Sequence, residues 1–181
     1  MRICNSYFVA AFALASLFGA TAALAQEAPP SQFEHIQGLD PFAGFWEGKS
    51  PEEGGGTIYL SCRYAANRSY LQMQLSMEVE GERESMGTML IGKNHANDQV
   101  SIWGFWPNRQ IQGDNVQIGE DSASWKETGT DEGGQKSSAN VVMKVTGDEL
   151  TVDVTEARIG QQEGPEMHIV FKRSQRRGDR Q

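Results

Sequence analysis

Few side chains of this sequence have the types and spacing that acid–base, nucleophilic or metal chemistry needs. The three histidines, His35, His95 and His168, are far apart, and none has the cysteine or histidine spacing of a zinc site. The sequence has no Gly-x-Ser-x-Gly elbow, no P-loop and no dinucleotide fingerprint. We therefore predict no catalytic residue and no metal ligand. Whether the protein is an enzyme stays open, and the residues favour a protein that is not one.

The carboxylates offer no clearer catalytic arrangement. Glu52 and Glu53 are adjacent beside three glycines, and neighbouring residues of an extended chain point to opposite faces. This pair is predicted to lie in a solvated loop. Glu127 shares a strand face with Trp125 and could be drawn into a pocket, but we predict a surface position for it.

The aromatic side chains are more informative. Trp103, Phe105 and Trp106 lie in one strand-like segment, and Trp125 lies in a nearby one. Alternation places Trp103 and Phe105 on one face of the strand and Trp106 on the other. Both faces cannot be core, so a large aromatic side chain either lines a cavity mouth or contact surface, or covers a neighbouring loop.

The first 25 residues have the pattern of a secretory signal peptide. Arg2 is their one charge, residues 7–20 are almost entirely apolar, and residues 23–25 fit the small-x-small cleavage rule. The apolar run is short for a membrane span, so no stable membrane insertion is expected after cleavage. The sequence therefore predicts a periplasmic or secreted protein. Cys62 is then the one remaining cysteine, and we predict that it is a small apolar core residue.

The charge balance argues against nucleic acid as a partner. The 181 residues carry a net charge of −8, whereas nucleic-acid binding depends on neutralising phosphates. Residues 172–181 are the exception, with five basic side chains and one acidic side chain. We interpret residues 174–181 as a solvated, disordered basic tail.

Most of the chain is predicted to form short β-strands. Residues 70–80 alternate apolar and polar side chains with a period of two, as residues 58–64 do before them. Further strands are predicted at 85–92, 99–106, 110–119, 122–128, 138–146, 149–158 and 166–173. Residues 26–43 are predicted to be a linker with a short helix near 32–37, which Gly38 stops and Pro41 prevents from resuming.

The links between these strands are short, so the sheet is predicted to be antiparallel. The fold class is all-β, an up-and-down barrel of about 8–10 strands over residues 44–173, because closure removes exposed edges. A β-sandwich is the main alternative. The glycine-rich loop 50–56 is expected at the barrel mouth, and 130–135 is a second such loop.

The segment Gly44-Phe45-Trp46 resembles the start of the lipocalin and calycin superfamily, and its longer form resembles small bacterial secreted proteins of that type. The resemblance implies that Trp46 packs at the closed base of a barrel. It also implies that an arginine from the end of the last strand, here Arg173, lies across it. Gly44, Trp46 and Arg173 thus form the expected structural motif.

The glycine spacing at Gly44, Trp46 and Gly48 is also similar to the opening of the nitrobindin-like haem barrels, although Ser50 interrupts the match. That resemblance would make His168 a haem ligand. His168 alternates with the apolar residues of its strand, so it points to solvent if those face inward. We therefore predict no cofactor.

The sequence is compatible with three functions, which we rank in order. The first is binding of a small, largely apolar molecule inside the barrel. The predicted binding residues are Leu71, Met73, Leu75, Met77, Trp103 and Phe105. The second is a filled barrel that serves as an envelope structural or interaction module. The third and lowest-ranked is a calycin-type enzyme, which would need an inward-facing titratable group that alternation does not reveal.

Overall fold

The computed structural model describes residues 32–52 and 54–175. The predicted signal peptide and nearly all of the basic tail lie outside these residues. The strands run as follows: β1 Gly44–Lys49, β2 Thr57–Ala65, β3 Tyr70–Val79, β4 Glu82–Asn94, β5 Gln99–Trp106, β6 Arg109–Gly113, β7 Gln117–Ile118, β8 Ser122–Asp131, β9 Lys136–Thr146, β10 Glu149–Ile159, β11 Gln162–Glu163 and β12 Met167–Ser174.

Ten of these strands close into an antiparallel barrel, and the two-residue strands β7 and β11 add short pairings beside it. Each long strand pairs with the next long strand along the chain, so β6 pairs with β8 across β7, and β10 pairs with β12 across β11. The final strand β12 also pairs with β1, so the sheet meets itself. The predicted fold class is confirmed, and the sandwich alternative is wrong. The described residues contain no helix long and apolar enough to cross a bilayer.

A short helical segment before the barrel is confirmed, but the prediction that Gly38 stops it and that Pro41 prevents it from resuming is wrong. Two consecutive 3₁₀ helices precede β1, over Gln32–His35 and Gln37–Phe42. The second includes Pro41, which a short 3₁₀ turn tolerates because few of its amides need partners. Residues three apart share a face in this geometry, and Ile36, Leu39 and Phe42 are all buried against the barrel.

The predicted strand 110–119 is also interrupted, since β6 ends at Gly113 and β7 begins at Gln117. Asn115 adopts a left-handed conformation with φ of 58°. The Asp114 carboxylate accepts a hydrogen bond from the buried Ser101 hydroxyl at 2.6 Å. The intervening turn is therefore tied to β5 by its side chains and by the Val116 amide, which donates to the Val100 carbonyl.

The closed base of the barrel is built on Trp46. The Trp46 indole donates to the Phe42 carbonyl at 2.8 Å, and the Arg173 guanidinium lies 4.1 Å from the centre of its ring. Arg173 also donates to the carbonyls of Ala43 and Pro41, at 3.0 Å each. Gly44 has φ of 139°, and a Cβ there would stand 2.8 Å from the guanidinium. These contacts connect the start of the barrel to its last strand.

Candidate functional site

The inner face of the barrel changes from closed to accessible along its axis. Near the base, the inward side chains are 0–1% exposed; they include Leu71, Met73, Ile91, Ile102 and Leu150. Toward the other end, several inward side chains are only partly buried, namely Leu75, Met77, Met89, Val152 and Val154, although Ile58, Ile111 and Val141 are buried there. We call this second region the open half. Residues 50–52 and 54–56, which belong to the link between β1 and β2, lie at this end.

Glycines make room for tryptophan rings on this inner face. A Cβ on Gly104 would overlap the Trp106 ring, and one on Gly87 would stand 3.0 Å from it. Trp125 packs over Gly113 in the same way, at 3.1 Å. The two indoles therefore lie against the wall of the barrel because their neighbours lack side chains.

A carboxylate shares the interior with these rings. Glu127 follows the buried Trp125 by two residues and pairs across the sheet with the buried Ala139, so its side chain is on the inner face. The Trp125 indole N–H donates to Glu127 Oε2 at 3.1 Å. Burial raises the pKa of Glu127 above its ordinary value, and the indole hydrogen bond and the charge of Arg109 partly oppose the shift. The predicted surface position of Glu127 is wrong.

Arg109 places a positive charge at this end, where Asp131 is its cross-strand partner. Its guanidinium carbon lies 5.1 Å from the centre of the Trp106 ring, and the two residues are cross-strand partners at the hairpin between β5 and β6. The open half thus combines an apolar wall with a carboxylate and a guanidinium. Such a site can enclose an apolar body and hydrogen-bond one polar group.

Sequence reasoning missed Trp106, Arg109 and Glu127 as members of one site. The available signal was the alternation within β8, where buried Ala123 and Trp125 put Glu127 in the inward register. The ranking of an enzyme below the other functions depended on the absence of such a group. Because Glu127 is such a group, that reason for the low rank of an enzyme no longer holds. Glu127 by itself does not identify a reaction.

Four of the six predicted binding residues lie on the inner face, at two levels of the barrel. Leu71 and Met73 are completely buried at the closed end, where they fill the core. Leu75 and Met77 line the open half. Any role of these four residues in binding stays a prediction.

The inner-face placement of Trp103 and Phe105 is wrong. Ile102 is fully buried and Phe105 is 48% exposed, so the inward register of β5 is Ile102, Gly104 and Trp106. Trp103 instead contacts Tyr70 on the outer surface, with ring centres 6.5 Å apart. Both faces of β5 carry aromatic residues, and alternation by itself does not say which face is inside.

His168 lies on the outer face of β12. Its Nδ1 is 2.5 Å from Asp153 Oδ1, and its side chain is largely exposed. It therefore does not point into the interior. Across residues 32–52 and 54–175, no group of three potential metal-ligating side chains is close enough to hold an ion.

Cys62 is buried in the core, as predicted. Desolvation raises the pKa of its thiol to about 12, so the thiolate is not available near neutral pH.

Comparison with known proteins supports the fold. No protein-family model matches the chain, and no curated protein is significantly similar to it. Among solved structures, the crystal structure of Rv2717c from M. tuberculosis is similar, with a TM-score of 0.56 and 14% sequence identity. The match covers 82% of this chain and 99% of that chain. The barrel is compatible with a calycin-like fold, and the relationship to lipocalins stays a prediction.

Proposed function

We propose that this protein binds a small, largely apolar molecule with one polar group in the open half of its barrel. The carrying observation is that the inward apolar side chains of Leu75, Met77 and Val154 are only partly buried, whereas those of Leu71, Met73 and Leu150 at the base are completely buried. The predicted signal peptide makes the periplasm or the cell exterior the proposed site of action.

The strand number supports an interior that holds a ligand. An eight-stranded barrel has room for its own side chains or for one small ligand, and the diameter grows with strand number. This barrel has ten long strands. Its accessible inner wall includes Met77 and Met89, whose flexible thioether side chains adapt to apolar partners of varied shape.

The polar group of the ligand would be bound by Glu127 and Arg109. A carboxyl group with a raised pKa carries its proton over a wider pH range, and in that form it donates a hydrogen bond to a carbonyl or ether oxygen. Arg109 offers further N–H donors. We therefore expect an apolar ligand with an oxygen acceptor rather than a pure hydrocarbon.

Titration with the uncharged fluorophore N-phenyl-1-naphthylamine tests this function. Val154 is on the inner face of the open half, whereas Val142 is an exposed residue on the outer face of the adjacent strand. Val154→Trp fills the interior and should weaken binding by about tenfold or more. Val142→Trp adds the same side chain outside and should leave binding unchanged.

A filled barrel that serves only as an interaction module gives a different result. The folded wild-type protein would then show no saturable fluorescence change. Equal binding by the Val154→Trp and Val142→Trp variants would instead place the fluorophore outside the barrel. Either result contradicts the proposed function.

A further inference from the structure

A second concave site lies on the outside of the barrel, over β5, β6, β8, β9 and β10. It is a groove of about 550 Å³ in which Trp103 and Phe105 form one wall. β10 contains a bulge between Thr155 and Arg158, and bulged strands bend away from regular pairing. This surface, which we call the outer groove, is lined mainly by side chains on the outer face of the sheet.

The sheet register orders the outer groove into two parallel rows of side chains. The first row runs from Phe105 through Gln110 and Thr130 to Lys136. The second row runs from Trp103 through Gln112, Thr128 and Ser138 to Arg158. Each row begins with an aromatic ring, continues with neutral hydrogen-bonding groups and ends with a cation.

This order indicates the chemistry of a ligand. An aromatic face attracts C–H groups through its negative quadrupole face, amide and hydroxyl side chains exchange hydrogen bonds with hydroxyls, and a guanidinium forms paired hydrogen bonds with a carboxylate. A sugar ring offers both C–H faces and hydroxyls, and a uronic acid adds the carboxylate. Phe105 and Lys136 are three interstrand steps apart, or about 14 Å, which is longer than a single sugar ring.

The charges of the outer groove favour an acidic ligand over a neutral one. Lys136 and Arg158 are the charged side chains among its described lining residues, although the whole chain carries a net charge of −8. Lys136 is held toward the groove by a hydrogen bond to the Thr130 hydroxyl at 3.3 Å. Glu163 pairs with Arg158 across β10 and β11 and is not part of the groove lining.

The arrangement of the aromatic residues favours a sugar chain over a nucleotide. Trp103 and Phe105 are two residues apart on β5, so their side chains lie side by side along this strand, about 7 Å apart. Two rings side by side offer one flat stacking surface to the end ring of a sugar chain, whereas a single base is better held between two facing rings. From these observations we infer that the outer groove binds an acidic oligosaccharide that runs along the two rows, across the strands, with its first sugar ring against Trp103 and Phe105 and the carboxylate of its far end at Lys136 and Arg158.

Isothermal titration with trigalacturonic acid tests the inference, and its methyl ester supplies an uncharged ligand of the same shape. The acid should bind saturably and more tightly than the ester. Phe105→Ala should weaken binding of the acid by about tenfold, and Val142→Ala, which shortens another exposed apolar residue, should not. Circular dichroism checks that both variants fold.

A second pair of variants tests the charges. Arg158→Gln should remove most of the preference for the acid over the ester, and Lys144→Gln, at an exposed position of β9 away from the outer groove, should preserve it. Val154→Trp should leave the trisaccharide affinity unchanged, which separates this site from the interior. Absence of saturable binding, equal loss in the Phe105→Ala and Val142→Ala variants, or tighter binding of uridine monophosphate would overturn the inference.

Discussion

Replacement of Arg173 by methionine tests how the base of the barrel is held. Methionine retains an apolar stem against Trp46, but it removes the guanidinium and its two hydrogen bonds, to the carbonyls of Ala43 and Pro41. A hydrogen bond from a charged donor contributes about 1.5 kcal/mol at the lower end of its range. The lower value applies to Arg173 because its side chain is 34% exposed and therefore partly solvated. The cation–π contact with Trp46 adds about 0.5–1 kcal/mol. We expect the Arg173→Met variant to lose about 3.5–4 kcal/mol of unfolding free energy.

Urea unfolding monitored by tryptophan fluorescence measures this loss. Arg63→Met is the matched control, because Arg63 is exposed and its guanidinium donates to the side chain of Gln74 at the surface. The control should lose less than about 1 kcal/mol. Arg173→Lys should fall between the two, since a lysine ammonium lacks the fork that reaches two carbonyls. Equal midpoints for the Arg173→Met and Arg63→Met variants would refute the role assigned to Arg173.

Three further predictions concern the interior. Glu127→Gln should gain unfolding free energy relative to wild type as the pH rises from about 4 to 7, because a raised carboxyl pKa makes ionisation unfavourable in the folded state above the ordinary glutamate range; a pH-independent difference in urea unfolding would contradict this. Cys62 should resist Ellman's reagent at about pH 8 in the folded protein and react in urea, because its thiol is buried with a pKa of about 12; rapid labelling of folded protein would show otherwise. Gly104→Ala should cost about 1–3 kcal/mol, since the new methyl group overlaps the Trp106 ring, whereas Gly133→Ala in an exposed turn should cost less than about 1 kcal/mol; a comparison of thermal midpoints distinguishes the two outcomes.

The barrel could be predicted from sequence because alternation and short links both depend on local chemistry. The strand 99–106 was predicted with the bounds that β5 has, and β3 differs by one residue. The Arg173 contact with Trp46 joins residues distant in sequence, and it was expected only from the resemblance to a known superfamily.

The functional site could not be predicted in the same way. Trp103 and Trp106 are both large and apolar, and the register of β5 was decided by Gly104, which gives the Trp106 ring its space inside. Glu127 was expected outside because a charged side chain normally costs free energy to bury. Its raised pKa and its indole hydrogen bond depend on neighbours that sequence reasoning does not place.

The pairing of β1 with β12 also constrains how this chain reaches its folded state. Phe45 is opposite Ser174 and Gly48 is opposite Phe171, so the last pairing spans nearly the whole described chain. Contacts of such long sequence separation form slowly, because their loop entropy is lost before they contribute energy. Until the final strand is synthesised, β1 and β10 each present an unpaired edge to other chains. The late folding intermediate, rather than the finished barrel, is therefore the species most exposed to aggregation.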